Sequence, residues 1–113
     1  MTDEFIHWWN SLSTEQQESV TDRVDFLAQR GPDLGRPVVD GIQTSRHHNM
    51  KELRASQGGA LRVLFMFDPR RHAILLVGGN KSGDWNAWNE AAVPLADKLY
   101  DIYLAELKVE GLI

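Results

Sequence analysis

The sequence predicts an α+β domain in which two N-terminal helices pack on a small antiparallel sheet, a three-stranded meander, and a further helix closes the chain. Three observations carry that expectation. Apolar residues recur at helical spacing up to residue 31, the period shortens to two between residues 50 and 78, and helical spacing returns after Pro94. The chain has 113 residues, 42% of them hydrophobic, enough for one core, so residues 1–113 are expected to form a single domain.

The elements follow in order. Phe5, Trp8, Trp9 and Leu12 mark a first helix, with Thr2 or Asp3 available as its cap. Ser13 and Gln16 are spaced as a capping box for a second helix, whose apolar stripe is Val20, Val24, Leu27 and Ala28. Gly31-Pro32 ends it, because Gly takes the left-handed turn and Pro cannot continue a helix. Residues 33–49 read as loop, with a short extended piece at Val38-Val39. Met50 to Ser56, Ala60 to Asp68 and His72 to Gly78 read as strands, joined by Gln57-Gly58-Gly59 and by Pro69-Arg70-Arg71. Asp84 to Glu90 is compatible with helix or loop. Pro94 suits the first turn of a last helix carrying Leu95, Leu99, Tyr103 and Leu107.

Composition excludes several classes of function. With no cysteine there is no disulfide framework and no thiolate metal site. No apolar run is long enough to span a bilayer, and the acidic opening Met1-Thr2-Asp3-Glu4 is unlike a secretory signal, so a cytoplasmic protein with no membrane partner is expected. No zinc spacing and no phosphate-cradling glycine loop is present, so neither metal nor cofactor is expected. His47-His48 is expected in an exposed loop.

The net charge of −4 is unevenly spread. Residues 46–81 hold seven cations and two carboxylates, a local charge of +5, whereas the remainder holds five against fourteen, or −9. That pattern fits a polyanion-binding face or an ordinary solvated sheet surface, and charge alone does not choose. Strand alternation sorts the side chains. Leu61, Val63, Phe65 and Phe67 form the core face of the middle strand, so Arg62 lies on the opposite, open face. Leu53 belongs to the core, which puts Glu52 and Arg54 beside Arg62. Lys51 at its strand's start and Lys81 just past the third strand could converge on the same patch. Trp85 and Trp88, three residues apart, could stack bases beside it, although either could instead close the end of the core.

Such a patch suits RNA cleavage, because RNA carries its own nucleophile in the 2′-hydroxyl. A protein then needs to remove that proton, neutralise the phosphate and protonate the leaving oxygen. Arginine suits the second task, since its planar fork holds two phosphate oxygens. Lys51, Lys81 and Glu52 are the candidate acids and bases.

Several runs taken together resemble a known family. They are Gly31-Pro32-Asp33-Leu34-Gly35-Arg36-Pro37-Val38-Val39-Asp40, Ser45-Arg46-His47-His48-Asn49-Met50-Lys51-Glu52-Leu53-Arg54, Leu61-Arg62-Val63-Leu64-Phe65, Phe67-Asp68-Pro69-Arg70-Arg71, and Leu75-Leu76-Val77-Gly78-Gly79-Asn80-Lys81. With Trp85, Trp88, Pro94, Ala96-Asp97 and Tyr100-Asp101 behind them, they are similar to the phage-derived HigB-like branch of the RelE/ParE toxin superfamily. The resemblance implies a toxin that cleaves messenger RNA without metal, commonly on the ribosome, and that is silenced by a cognate antitoxin, often a helix-turn-helix protein. It implies Arg62 at the scissile phosphate, Lys51 or Arg54 as a basic residue of the preceding strand, and Lys81 as one just past the third. The catalytic candidates are therefore Lys51, Glu52, Arg54, Arg62 and Lys81, with Arg46, Arg70, Arg71, Trp85 and Trp88 as RNA-binding candidates. Two departures stand out. Members usually open with a strand before the first helix, which this chain lacks, and often carry Tyr where Asn89 stands. The alternatives are a ParE-like gyrase poison and a non-catalytic toxin that only binds its antitoxin.

Overall fold

The helical stretches and the period-two stretches separate into layers. The computed structural model describes residues 1–81, 83 and 85–113, and of Trp85 only its place in a helix. Helix α1 (Asp3–Asn10) is capped by Thr2, whose Oγ1 accepts the Phe5 N–H at 3.0 Å and donates to the Leu76 carbonyl at 2.6 Å. Helix α2 (Thr14–Arg30) opens with the expected capping box: Ser13 Oγ accepts from the Gln16 N–H, and Gln16 Oε1 accepts from the Ser13 N–H. Gly31, at φ 63°, stops it.

Four strands follow: β1 (Val39–Gly41), β2 (Lys51–Ala55), β3 (Leu61–Phe67) and β4 (Ala73–Asn80), antiparallel in the order β1-β2-β3-β4. The sheet therefore has one strand more than the meander expected from sequence. The short extended piece at Val39 pairs with Leu53 and continues to Gly41. Three residues carry too little pattern to reveal a strand without its neighbour.

Helices α1 and α2 cover one sheet face, burying Phe5, Val20 and Leu27 against Leu53, Val63, Phe65 and Leu75. The opposite face, expected to be open, is partly covered by α3 (Trp85–Val109), which buries Ala92, Val93, Ala96 and Tyr100 on Met50, Leu64, Met66 and Leu76. The sequence signal for this second core was present in Leu64 and Met66, which alternate into that face and are almost fully buried. Pro94 is not in the first turn of its helix but inside it. It is exposed, whereas Ala92, Val93 and Ala96 around it are buried. Burial on the sheet thus outweighs the backbone hydrogen bond that Pro forgoes.

A bulge sets the phase of β4. Leu64 pairs with Val77 and Phe65 with Leu75, so Leu76 is an extra residue. Leu76 and Val77 both pack on the α3 side, and the alternation is reset for the two glycines that follow. Trp8 lies on Gly78 and Trp88 lies on Gly79. A Cβ would fall 2.1 Å from Trp8 at the first position and 1.9 Å from the Trp88 Nε1 at the second, so neither site admits a side chain.

A candidate nucleic-acid interface at the end of the sheet

Strand alternation places Asp40, Glu52, Arg54 and Arg62 on the α3 side of the sheet, beyond the first turns of that helix. Asp40 pairs with Glu52, and Arg54 faces Arg62 across the ladder. Glu52 is 3% exposed. Its Oε2 receives Lys81 Nζ at 2.5 Å, and its Oε1 receives Arg54 Nε at 3.3 Å and Arg62 Nε at 3.4 Å. Three cations thus converge on one carboxylate, which lets them lie side by side in a desolvated place. Asp40 extends the network by holding Arg54 through Oδ2 and Arg36 through Oδ1, each at 3.0 Å. With Arg36 included, four cations face two carboxylates, so the cluster keeps surplus positive charge.

The guanidinium groups differ in access. Arg54 is about one-third exposed at 34%, and Arg62 is at 11%. Burial draws the Arg62 pKa below its usual value, Glu52 opposes that, and Arg54 adds to it. An arginine remains cationic under such a shift. Arg62 also donates through Nη1 to its neighbour, the Leu61 carbonyl, at 2.8 Å, which fixes the fork.

Other candidates lie elsewhere. Lys51 points to the α2 face, its Nζ 5.7 Å from the Phe67 ring centroid and 3.5 Å from the Pro32 carbonyl. The expectation that it joins the patch is corrected, because as partner of Phe65 it inherits that residue's face. Arg70 and Arg71, eight and nine residues after Arg62, sit in the β3–β4 turn at the opposite end of β3. Arg70 is engaged there with Asp68, at 3.3 Å, and with the Tyr103 hydroxyl, at 3.0 Å. The Asp68 carboxylate is buried, yet its pKa lies below the usual range. Burial opposes the charge, but donors from His72, Tyr103 and Arg70 outweigh it. Arg46 is tied to the middle of α3. Its side chain pairs with Asp101, and its N–H donates to Asp97 Oδ2 at 3.0 Å. His47 is held in the same strap by Asp101 at 2.9 Å and lies edge-on to Tyr100, so it is less free than an exposed loop residue.

Trp88 closes the end of the α3 core and takes Lys81 Nζ on its ring at 5.2 Å. The Trp85 side chain lies outside the described residues. Asn89, the residue after Trp88, has a buried Oδ1 with no hydrogen-bond partner among the described residues. Among the described residues no three His, Asp or Glu side chains gather to hold a metal ion. None of the described helices is long and apolar enough to cross a membrane. Sequence reasoning missed Asp40, whose only signal was its position in a strand of three residues.

Residues 7–101 match the family described as Phage derived protein Gp49-like (DUF891). The chain belongs to this family. The chain is 48% identical over 98 residues to "Putative toxin HigB3" of Mycobacterium tuberculosis, covering 87% of this chain and 85% of that one. It is 45% identical over 103 residues to "Putative toxin HigB2" of the same organism, covering 89% of this chain but 51% of that one, about half its length. No solved structure matches. The resemblance to the phage-derived HigB-like branch, first seen in scattered motifs, therefore extends over most of this Gp49-like chain.

Proposed function

We propose that this chain is the toxin of a toxin–antitoxin system and acts as a metal-independent endoribonuclease on messenger RNA in the cytoplasm. The observation that carries this reading is the convergence of Arg54, Arg62 and Lys81 on Glu52 at the sheet end beside Trp88. The relatives named as HigB toxins support the toxin class.

In this mechanism Arg54, the more open guanidinium, meets a phosphate oxygen first, and Arg62 behind it stabilises the charge that builds on the phosphorane. Both Glu52 oxygens are committed to cations, so Glu52 serves as the counter-ion that positions the arginines. Lys81 is the remaining ionisable group at the cluster that can move a proton. Attack by the 2′-hydroxyl leaves a 2′,3′-cyclic phosphate and a 5′-hydroxyl, and water is not consumed in that step.

A second reading is favoured by one observation: Arg62 and Lys81 are almost buried and already paired. In that reading the cluster is a structural ion network and the chain is a non-catalytic toxin. One experiment separates the two. The chain is induced in cells, growth is followed, and RNA ends are mapped with and without Arg62→Ala and Arg62→Lys. Growth arrest with new 5′-hydroxyl ends, lost in Arg62→Ala while the circular dichroism spectrum is unchanged, is the expected result. Arrest without new RNA ends favours the non-catalytic reading, and a gyrase supercoiling assay then tests a gyrase poison. An Arg62→Ala variant that cuts as well as the parent removes Arg62 from the mechanism.

A further inference from the structure

One surface outside the cationic cluster lacks an explanation. Along α3, Leu95, Leu99 and Ile102 fall on one side at spacings of four and three, and Leu95 and Ile102 are exposed at 39% and 46%. Leu99 packs in part against the α3 core, but core formation does not account for Leu95 and Ile102, because the buried stripe of α3 runs through Ala92, Ala96 and Tyr100. Between this side of α3 and the start of α1 lies a cavity of about 390 Å³. Its apolar wall is Ile74, Leu99 and Ile102, and its rim carries Asp3, Glu4 and Glu106.

Two observations narrow the occupant. The β4 edge at the floor of the trough is occupied, since Thr2 donates its N–H to the Leu75 carbonyl at 3.1 Å and its hydroxyl to the Leu76 carbonyl at 2.6 Å. An added strand therefore finds these two carbonyls already taken, whereas a helix asks only for apolar surface. The rim is acidic, which favours basic flanks on the occupant. It also disfavours a second copy, because a two-fold contact would set the same three carboxylates against each other.

We propose that this trough docks an amphipathic helix of the antitoxin, with apolar side chains at helical spacing seated on Leu99 and Ile102 and Lys or Arg residues facing Asp3, Glu4 and Glu106. The proposal rests on the toxin–antitoxin reading and assigns the partner a surface separate from the cationic cluster, so that silencing need not involve contact with Arg54.

The test uses the full chain and the antitoxin encoded by the adjoining reading frame, with Ile102→Glu and Glu106→Lys made singly. Neither site is in the cationic cluster, and both variants are expected to match the parent in circular dichroism and melting temperature. By titration calorimetry each is expected to bind the antitoxin at least 30-fold more weakly. A carboxylate substituted for a basic residue of the antitoxin helix should restore binding to Glu106→Lys. In cells each variant should remain toxic and escape silencing. Should Ile102→Glu fail to fold, the surface charge reversal at Glu106 decides alone. Parent-like affinity in the folded variants overturns the trough and leaves the toxin reading standing, as does loss of self-association without loss of antitoxin binding. Absence of any complex with the parent also overturns it. A parent chain that does not slow growth overturns the toxin reading, and the calorimetry still decides the trough.

Discussion

At the scale of single residues, Glu52 is the group on which the others depend. It is almost fully buried and holds three cations. Removing one partner of a buried ion pair typically costs about 3–5 kcal/mol, because the other charge is left without compensation. Glu52→Gln is therefore expected to lower stability by that order, measured as a fall in urea midpoint, whereas Asp40→Asn, at a more open pair, should cost far less. Asn89 presents the opposite case. Its Oδ1 is buried with no hydrogen-bond partner among the described residues, and an unmet buried acceptor costs about 1–3 kcal/mol. Asn89→Leu is expected to raise stability by about 1 kcal/mol in a denaturant titration. If RNA cutting falls in that variant while stability rises, Asn89 contributes to substrate binding and its unmet acceptor is the price of function.

At the scale of elements, two local arrangements hold the sheet in register. The first is the β3–β4 turn, where Asp68 accepts from Arg70, His72 and Tyr103 and so ties the turn to α3. Its carboxyl loses a proton more readily in the folded chain than in the unfolded one. The unfolded chain therefore binds more protons in acid. The contribution of Asp68 is complete above its unfolded value of about 3.9 and is lost as pH falls through the lower folded value. Asp68→Asn is expected to flatten the acid limb of a stability-versus-pH curve below about pH 4, and an unchanged limb would show that Asp68 contributes no linkage. The second arrangement is the Gly78-Gly79 pair between Trp8 and Trp88. Each Gly→Ala change forces an indole off the strand and should cost about 1–3 kcal/mol or more, read from thermal unfolding. Gly79→Ala should also disturb the Lys81–Trp88 contact, which Gly78→Ala on the opposite face leaves alone.

At the scale of the whole molecule, charge is divided between two surfaces. The cationic cluster lies at one end of the sheet, and an acidic rim lies between α1 and α3. If Arg54, Arg62 and Lys81 together displace three counterions from the RNA backbone, the logarithm of single-stranded RNA affinity should fall with the logarithm of salt at a slope of about −2. A slope near zero in filter binding across a salt series would show that the cluster does not engage the RNA backbone. Antitoxin binding through the apolar trough should vary less steeply with salt, since its central contacts are uncharged.

Local chemistry explains what the sequence alone determined. The caps at Thr2 and Ser13, the stop at Gly31, the two hairpins and the side of the sheet taken by Glu52, Arg54 and Arg62 all follow from neighbours a few residues away. Period-two alternation sorts faces with no knowledge of the rest of the chain. Only the tertiary structure decided the fourth strand at Val39, the passage of α3 through Pro94, the covering of the second sheet face, and the fates of Lys51, Arg46 and Arg70. Four of these turn on a partner distant in sequence: Leu53 for Val39, Phe67 for Lys51, Asp101 for Arg46 and Tyr103 for Arg70. A cation's residue type fixes its charge, but the carboxylate or ring that captures it is chosen by packing, and packing is set by burial summed over the whole chain.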